Sequence, residues 1–165
     1  MQCRKALIYS CLLFGIWGYS SQVTAQESTN DEIIISANSA RFHQSEGWGI
    51  YQGKAELEQG QRHMAADTIK LFIDKNGDLE RVEAEGNPVT LRDGEDIQAR
   101  ADFLLYEVKA DTVTLTKNAY INSEGRTFEG AKVVYHLTTR NVEADGGDEG
   151  ERVRLVIPAD KKGDK

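Results

Sequence analysis

The chain has 165 residues, of which 27 are acidic, 20 are basic and only two are cysteines. This length favours a single domain that can bury a core without disulfides or metals. Charged residues make up 28% and hydrophobic residues 39%, which is typical of a globular protein, and two prolines against 15 glycines exclude proline-rich and collagen-like fibres. The net charge of −7 argues against a nucleic-acid-binding protein, which needs a basic face.

Residues 1–25 have the pattern of a cleaved signal peptide. Arg4 and Lys5 precede an apolar run of 14 residues, which is shorter than the roughly 20 residues that span a bilayer. The small residues Val-Thr-Ala at 23–25 then offer a cleavage site. The alternative is an uncleaved membrane anchor.

Cleavage would remove both cysteines and leave 140 residues with a net charge of −9. An exported domain without disulfides fits a bacterial envelope compartment, so we expect a periplasmic protein of a Gram-negative cell. Residues 26–32 are predicted to be a flexible arm, residues 33–158 the folded domain, and residues 159–165 a charged tail.

The predicted elements in residues 33–158 are β-strands. Ile69, Leu71 and Ile73 alternate with polar residues, and the same period of two recurs along the domain, which puts one side of each strand on a core. Turn signals such as Asn76-Gly77, Asp93-Gly94 and Glu85-Gly86-Asn87-Pro88 separate the strands. The pattern predicts an all-β, antiparallel fold joined by short hairpins.

An internal repeat suggests how these strands stack. Ala66–Phe72 is similar to Ala101–Tyr106, and Gly130–Tyr135 is a looser third copy. Because a unit of a few strands cannot bury its own face, the copies must pack on one another. We therefore predict two facing antiparallel sheets in an elongated, twisted β-jelly roll, with open strands at its ends.

The sequence offers no catalytic or metal-binding constellation. His43, His63 and His136 are not spaced as metal ligands, and the predicted domain has no cysteine to join them. No phosphate-binding or nucleophile motif occurs in the sequence. We expect neither an enzyme nor a bound cofactor or metal.

The informative feature is an apolar inner face. In most β-sandwiches such residues fill one another's space, but if the sheets splay, the same face becomes a slot for acyl chains. Tyr106 and Val108 lie on a strand that is apolar on both sides, so periodicity leaves their direction open. The other candidates for the inner face are Ile33, Ile35, Leu57, Ile69, Leu71, Val89, Leu91, Leu105, Val113, Leu115, Ile121, Val134, Val153, Leu155 and Ile157.

Seven stretches of the predicted domain carry a family resemblance through their order and spacing: 33–37, 51–60, 65–69, 84–91, 101–106, 115–120 and 152–158. Together they resemble the OstA-like β-jelly-roll family of periplasmic lipopolysaccharide-transport proteins. Two positions depart from the family pattern: Lys54 stands where Asn is usual and Lys117 where Gly is usual.

The resemblance implies a lipopolysaccharide-binding bridge between an inner-membrane export complex and the outer-membrane assembly site. Its expected partners are lipopolysaccharide, the jelly-roll domains of the inner- and outer-membrane components, and further copies joined head to tail through edge strands. The inner-face candidates, with Tyr106 and Val108, are implied to contact acyl chains. Because the domain is acidic, we expect acyl burial to dominate, with rim cations such as Arg41, Lys54, Arg62 and Arg81 acting only locally.

Two alternatives stay open at this point. One is a membrane-anchored jelly-roll partner of the same pathway, which would retain its first 25 residues. The other is a periplasmic carbohydrate-binding domain, which would need aromatic side chains on an exposed face, where the predicted domain offers only Trp48 and scattered tyrosines.

Overall fold

Ten antiparallel β-strands make up the described part of the chain. The structure, a computed structural model, describes residues 32–147 and 152–159, so the predicted signal peptide and nearly all of both predicted tails lie outside the described residues. The strands are β1 (Ile33–Ser36), β2 (Ser39–His43), β3 (Trp48–Gln59), β4 (Arg62–Ile73), β5 (Leu79–Asp93), β6 (Ile97–Glu107), β7 (Thr112–Ser123), β8 (Arg126–His136), β9 (Val142–Asp145) and β10 (Arg154–Val156).

Most neighbours in the sheet are also neighbours in the chain. The order is β1-β3-β4-β5-β6-β7-β8-β10, with β2 also pairing with β3 and β9 with β8. The turns predicted at Asn76-Gly77 and Asp93-Gly94 join consecutive strands, and both glycines adopt the positive φ that such turns require (93° and 59°). The all-β prediction is confirmed.

A column of register irregularities divides every long strand in two. The pairing shifts between Gln52 and Ala55 in β3, and equivalent shifts occur in each of the next four strand pairs. Gly53 and Lys54 accommodate the shift with positive φ angles of 80° and 49°, and Lys117 does the same in β7 with 63°. Such bulges bend a strand sharply, so the column is the line along which the sheet folds over.

Folding along this line produces two facing sheets, as the sequence predicts. Sheet 1 runs from β1 to β10 and contains the C-terminal halves of β3, β5 and β7 with the N-terminal halves of β4, β6 and β8. Sheet 2 runs from β2 to β9 and contains the complementary halves. Each sheet therefore ends in a short strand on both sides, which confirms the predicted jelly roll with open end strands.

The core is narrow at the fold line and wider away from it. Ala55 pairs with Ala66, and Ala119 pairs with Gly130, so small side chains stand where the two sheets converge. Further from the line, larger side chains such as Met64, Leu104 and Tyr135 are fully buried. Because interiors are closely packed, this gradient in side-chain volume indicates that the sheets converge at the fold line.

The repeat predicted from sequence corresponds to one hairpin. Ala66, Ala101 and Gly130, which begin the three similar segments, occupy equivalent positions next to the fold line in β4, β6 and β8. The unit is thus two strands long, and stacking successive hairpins builds both sheets at once.

One predicted turn is wrong. Glu85-Gly86-Asn87-Pro88 does not end a strand but lies inside β5, at its irregularity with β6. The glycine and proline there interrupt regular pairing without reversing the chain. On both sides of the interruption, β5 pairs with the same two strands, β4 and β6.

Candidate functional site

The interior between the two sheets is lined by rows of apolar side chains that run across the molecule. In sheet 1, cross-strand pairing aligns Ile35, Leu57 and Met64, and the row continues through Leu91, Ala99, Ile121 and Phe128 to Leu155 in β10. Sheet 2 presents a facing row that includes Leu71, Val82, Tyr106, Val113 and Tyr135. A continuous apolar path therefore connects the two ends of the jelly roll.

Most of the residues predicted to face inward do so. Ile33, Ile35 and Val108 are half-buried and pack against the core. The structure also settles the direction of Tyr106, which points inward and is 8% exposed. The predicted residues that are fully buried are Leu57, Ile69, Leu71, Val89, Leu91, Tyr106, Val113, Leu115 and Ile121.

Two predicted inner residues, Leu105 and Val134, lie on the outer face of sheet 2. Their neighbours Leu104 and Val133 are completely buried instead. The cause is the bulge between Arg100 and Phe103, beyond which the inner and outer positions of β6 exchange. An equivalent shift between Thr116 and Ala119, in the pairing of β7 with β8, exchanges the inner and outer positions of β8 in the same way.

The C-terminal candidates are not packed between the sheets. Leu155 pairs with Phe128 and so continues the inner row of sheet 1, but it is 50% exposed because β10 lies at the end of the sheet. Val153 and Ile157 flank β10 outside the strand and are 43% and 66% exposed. The prediction that these two residues face the core is wrong.

The interior opens at the end that carries β1 and β2. A cavity of about 300 Å³ lies there, with Ile33 and Ile35 on the sheet 1 side and Tyr51, Leu71 and Leu79 on the sheet 2 side. We call this cavity the N-terminal mouth. At the N-terminal mouth the apolar interior meets solvent.

Sequence periodicity missed several interior residues. Tyr135 and Met64 are completely or almost completely buried, and Val82 belongs to the same core. The signal for Tyr135 was available, since it occupies the position in the third repeat that Tyr106 occupies in the second. Reading the repeats as hairpins identifies both tyrosines as inner residues.

Polar contacts close one side of the interior, where the hairpin turns of the two sheets meet. We call this side the seam. Arg62 of sheet 1 pairs with Asp93 at 3.0 Å and donates a hydrogen bond to the Tyr106 hydroxyl of sheet 2 at 3.3 Å. Burial by itself lowers the pKa of Arg62, because it disfavours the charged form. The interactions with Asp93 and Tyr106 have the larger effect, so the pKa is raised overall.

A second contact crosses the seam further along. Arg140, in the β8–β9 connection, donates a hydrogen bond to Glu124 in the β7–β8 turn and lies 4.0 Å from Asp96. The hydrogen bond to Glu124 raises the pKa of Arg140. Between these two contacts, the Tyr135 hydroxyl is buried, and burial raises the pKa of Tyr135.

The four cations predicted at the rim have different surroundings. Arg62 takes part in the seam, whereas Lys54 lies at the fold line and Arg41 is exposed on β2. Arg81 lies on the outer face, with its guanidinium carbon 4.0 Å from the centre of the Phe72 ring. Of the four, only Arg62 faces the interior.

The aromatic cluster on the outer face bears on the carbohydrate-binding alternative. Trp48 stacks on His43 with ring centres 4.0 Å apart, and the Lys70 ammonium lies 5.7 Å from the Trp48 ring. Arg81 covers Phe72 in the same way. These neighbours occupy the ring faces that a sugar would stack on, so the cluster does not favour that alternative.

Two further properties concern the described residues only. Among them, no three histidine, cysteine, aspartate or glutamate side chains are grouped so that they could hold a metal ion. None of them belongs to a helix with the length and hydropathy needed to span a bilayer.

Comparison with known proteins identifies the family. Residues 34–141 match the family described as LptA/(LptD N-terminal domain) LPS transport protein. The chain belongs to this family. The resemblance inferred from sequence is confirmed, and a role in lipopolysaccharide transport follows from the membership.

Relatives of the LptA type match along most of their length. The lipopolysaccharide export system protein LptH of Pseudomonas aeruginosa is 31% identical over 155 residues, which cover 89% of this chain and 88% of that protein. LptA of Escherichia coli K12 is 25% identical over 159 residues, covering 92% and 80%. LptA of Haemophilus influenzae is 23% identical over 146 residues, covering 85% of each.

A solved structure shares the LptA-type fold. The crystal structure of P. aeruginosa LptH, described as the LptA-homologous periplasmic component of a lipopolysaccharide transport device, superposes with a TM-score of 0.72 at 28% identity. The match covers 79% of this chain and 99% of that one. The two departures from the family pattern, Lys54 and Lys117, do not change the fold, since both take the left-handed backbone that the bulges require.

Proposed function

We propose that this protein is a periplasmic bridge that carries lipopolysaccharide from the inner membrane to the outer-membrane assembly site, sheltering the acyl chains between its two sheets. The observation that carries the proposal is the continuous apolar path between the sheets, with an opening at the N-terminal mouth. Each buried methylene contributes roughly 0.8 kcal/mol, so even a few methylenes from several acyl chains would support binding.

Entry at the mouth is the first step of this proposal. Ile33 and Ile35 are half-buried there, whereas Leu91 deeper in the interior is 2% exposed. An acyl chain can contact the mouth without displacing core side chains, but it reaches Leu91 only if the sheets separate.

Photo-crosslinking tests the acyl-binding interior directly. A photoreactive residue at position 35 or 91, in place of Ile35 or Leu91, should capture lipopolysaccharide. Capture at position 35 should begin at a lower lipid concentration than capture at position 91, because Ile35 lines the mouth. Matched controls at Glu56 and Lys70, on the outer faces of the two sheets, should capture none. Equal capture at inner and outer positions would refute the proposal.

The bridging part of the proposal rests on the end strands of sheet 1. β1 has its outer edge free of β-partners within the described ranges, and β10 is exposed at all three positions. An edge strand of this kind can pair with a strand of another chain. Pairing β10 of one copy with β1 of the next would extend sheet 1 and align their interiors, and the jelly-roll domains of the membrane components would use the same edges.

Disulfide trapping tests this arrangement, because the predicted mature chain has no cysteine. A copy with one cysteine at positions 33–36 should form disulfides with a copy that has one cysteine at positions 154–156. The control is a cysteine at Lys70, on the outer face away from both edges. Trapping that is no greater at the edges than at Lys70 would contradict head-to-tail pairing.

Export by a cleaved signal peptide completes the proposal. Mass spectrometry of the protein isolated from cells should give Gln26 as the first residue, in the periplasmic fraction. An intact Met1 in the membrane fraction would favour the membrane-anchored alternative instead.

A further inference from the structure

The seam contains a polar cavity that the acyl-binding interior does not explain. It has a volume of about 560 Å³, within the range of small-molecule sites. Both sheets contribute to it, because the β3–β4 and β5–β6 turns of sheet 1 meet the β6–β7 and β8–β9 connections of sheet 2 there. Its lining includes Gln61, Arg62, Asp93, Asp111, Tyr135 and Arg140. We call it the seam cavity.

The apolar interior forms one wall of the seam cavity. Tyr135 and Ile97 line it and also belong to the buried core, and Leu137 packs against that core. A molecule with apolar chains in the interior would therefore present its polar part to this cavity.

The Tyr135 hydroxyl is the unexplained group in this cavity. The side chain is 0% exposed, and no group in the described part of the chain lies in hydrogen-bond geometry with its oxygen. Ser123 lies close enough to affect the Tyr135 pKa but does not complete a bond. Leaving a buried hydroxyl unpaired is costly, so a bound group that paired with it would gain a full hydrogen bond.

The other polar groups of the cavity point to the kind of ligand. Carboxylates outnumber guanidinium groups, since Asp93, Glu95, Asp96 and Asp111 stand against Arg62 and Arg140. That balance disfavours a phosphate inside the cavity. Carboxylates accept hydrogen bonds, guanidinium groups donate them and a phenol does both, so together they suit a neutral group with many hydroxyls.

We propose that the seam cavity binds the sugar hydroxyls of an acylated glycolipid whose acyl chains occupy the interior, with the Tyr135 hydroxyl as one of the hydrogen-bonding partners. This inference rests on the proposed function, since it requires the acyl chains to lie between the sheets. It assigns sugar recognition to the cavity and leaves the phosphates of the lipid outside it, toward solvent.

The test compares two lipids that differ in the sugar. One is a tetraacylated diglucosamine lipid with two phosphates, and the other is cardiolipin, which also has four acyl chains and two phosphates but contains glycerol instead of sugar. Tyr135→Phe should lower the affinity for the glycolipid about three- to tenfold, the range of one hydrogen bond, and leave the affinity for cardiolipin unchanged. Its Tm should be equal to or above that of the wild type, because no described residue lies in hydrogen-bond geometry with the hydroxyl.

Two further variants make the result specific. Tyr120→Phe removes a hydroxyl from the outer face, where Tyr120 stacks on Arg100 outside the seam cavity, and should change neither affinity. Gln61→Ala, at an exposed position of the cavity, should repeat the loss for the glycolipid alone, so that the test stands even if Tyr135→Phe folds poorly.

The outcomes separate the two proposals. If the wild-type protein binds both lipids equally and the cavity variants bind like it, the sugar site is wrong while acyl binding stands. A loss that is the same for both lipids would also overturn the sugar site. If the wild-type protein binds neither lipid, the proposed function itself fails.

Discussion

Arg62 and Tyr106 join the two sheets at the seam. The Arg62 guanidinium donates a hydrogen bond to the Tyr106 hydroxyl at 3.3 Å, and its central carbon lies 5.2 Å from the centre of the Tyr106 ring. The same guanidinium is held by Asp93 through two hydrogen bonds to one carboxylate oxygen, at 3.0 and 3.3 Å. A single half-buried side chain thus ties a strand of sheet 1 to a strand of sheet 2.

Replacing Arg62 by Gln should lower the free energy of unfolding by about 1–3 kcal/mol, because it leaves Asp93 and the Tyr106 hydroxyl without their charged partner. Urea denaturation measures the change. The control is Arg92→Gln, which removes an exposed arginine from the outer face of the same sheet and should cost less than about 0.5 kcal/mol. An equal effect of both substitutions would show that the seam contact does not stabilise the fold.

A double-mutant cycle isolates the contact across the seam. If Arg62 and Tyr106 interact, the combined loss from Arg62→Gln and Tyr106→Phe should differ from the sum of the single losses by at least about 0.5 kcal/mol. Additive losses would mean that Arg62 acts through Asp93 alone.

The strands and their hairpins could be predicted from sequence because alternation and turn residues are local signals. Leu57 and Leu91 alternate with polar neighbours, and both lie in the core as predicted. The internal repeat predicted the two facing sheets, and the family resemblance supplied the role in lipopolysaccharide transport. What local signals did not supply was the position of the fold line, since Glu85–Pro88 resembled a turn and proved to be an irregularity within β5.

The missing fold line explains the errors at Leu105 and Val134. A side-chain period of two holds only as long as the strand is regular, and one bulge exchanges the two faces for the rest of the strand. The side chains of Ala101 and Leu104, on either side of the bulge in β6, both face inward. In a regular strand, residues three positions apart would lie on opposite faces. In β6 and β8 the prediction was therefore displaced by one residue beyond the bulge, to Leu105 and Val134 instead of Leu104 and Val133.

Alanine substitutions at neighbouring positions should reveal this exchange. Leu104→Ala should lower the free energy of unfolding by about 2–5 kcal/mol, because Leu104 is completely buried. Leu105→Ala should cost less than about 1 kcal/mol, because that side chain is only partly covered on the outer face. Thermal or urea unfolding of the two variants is sufficient, and a larger loss at Leu105 would contradict the assigned register.

The β4–β5 turn should respond to acid through Asp74. Its carboxylate accepts hydrogen bonds from the backbone N–H groups of Asn76 at 2.9 Å and Asp78 at 3.2 Å, and these bonds, with Lys109, lower its pKa. A lowered carboxylate pKa stabilises the fold above the ordinary pKa of aspartate, near 4, and that contribution disappears as the pH falls through the folded-state value.

Asp74→Asn is the matched test, because an amide oxygen can still accept both backbone hydrogen bonds while the charge is lost. Stability measured between pH 2 and pH 5 should fall less steeply with acid in this variant than in the wild type. Asp74→Ala should lose the hydrogen bonds as well and be less stable than Asp74→Asn throughout. An unchanged acid dependence in Asp74→Asn would remove Asp74 from the groups that respond to acid.

The bulge of β7 should be stabilised by restoring glycine at Lys117. Lys117 has a φ of 63°, in the left-handed region that costs a residue with a Cβ about 1–2 kcal/mol relative to glycine. Part of this gain is offset because glycine is more flexible in the unfolded chain, so Lys117→Gly should raise the free energy of unfolding by up to about 1 kcal/mol. Lys132→Gly is the control, since Lys132 is exposed in β8 and lies outside the positive-φ positions, and it should lower stability by roughly 0.5–1 kcal/mol. If both glycines destabilise equally in urea, the left-handed backbone at Lys117 carries no strain that glycine relieves.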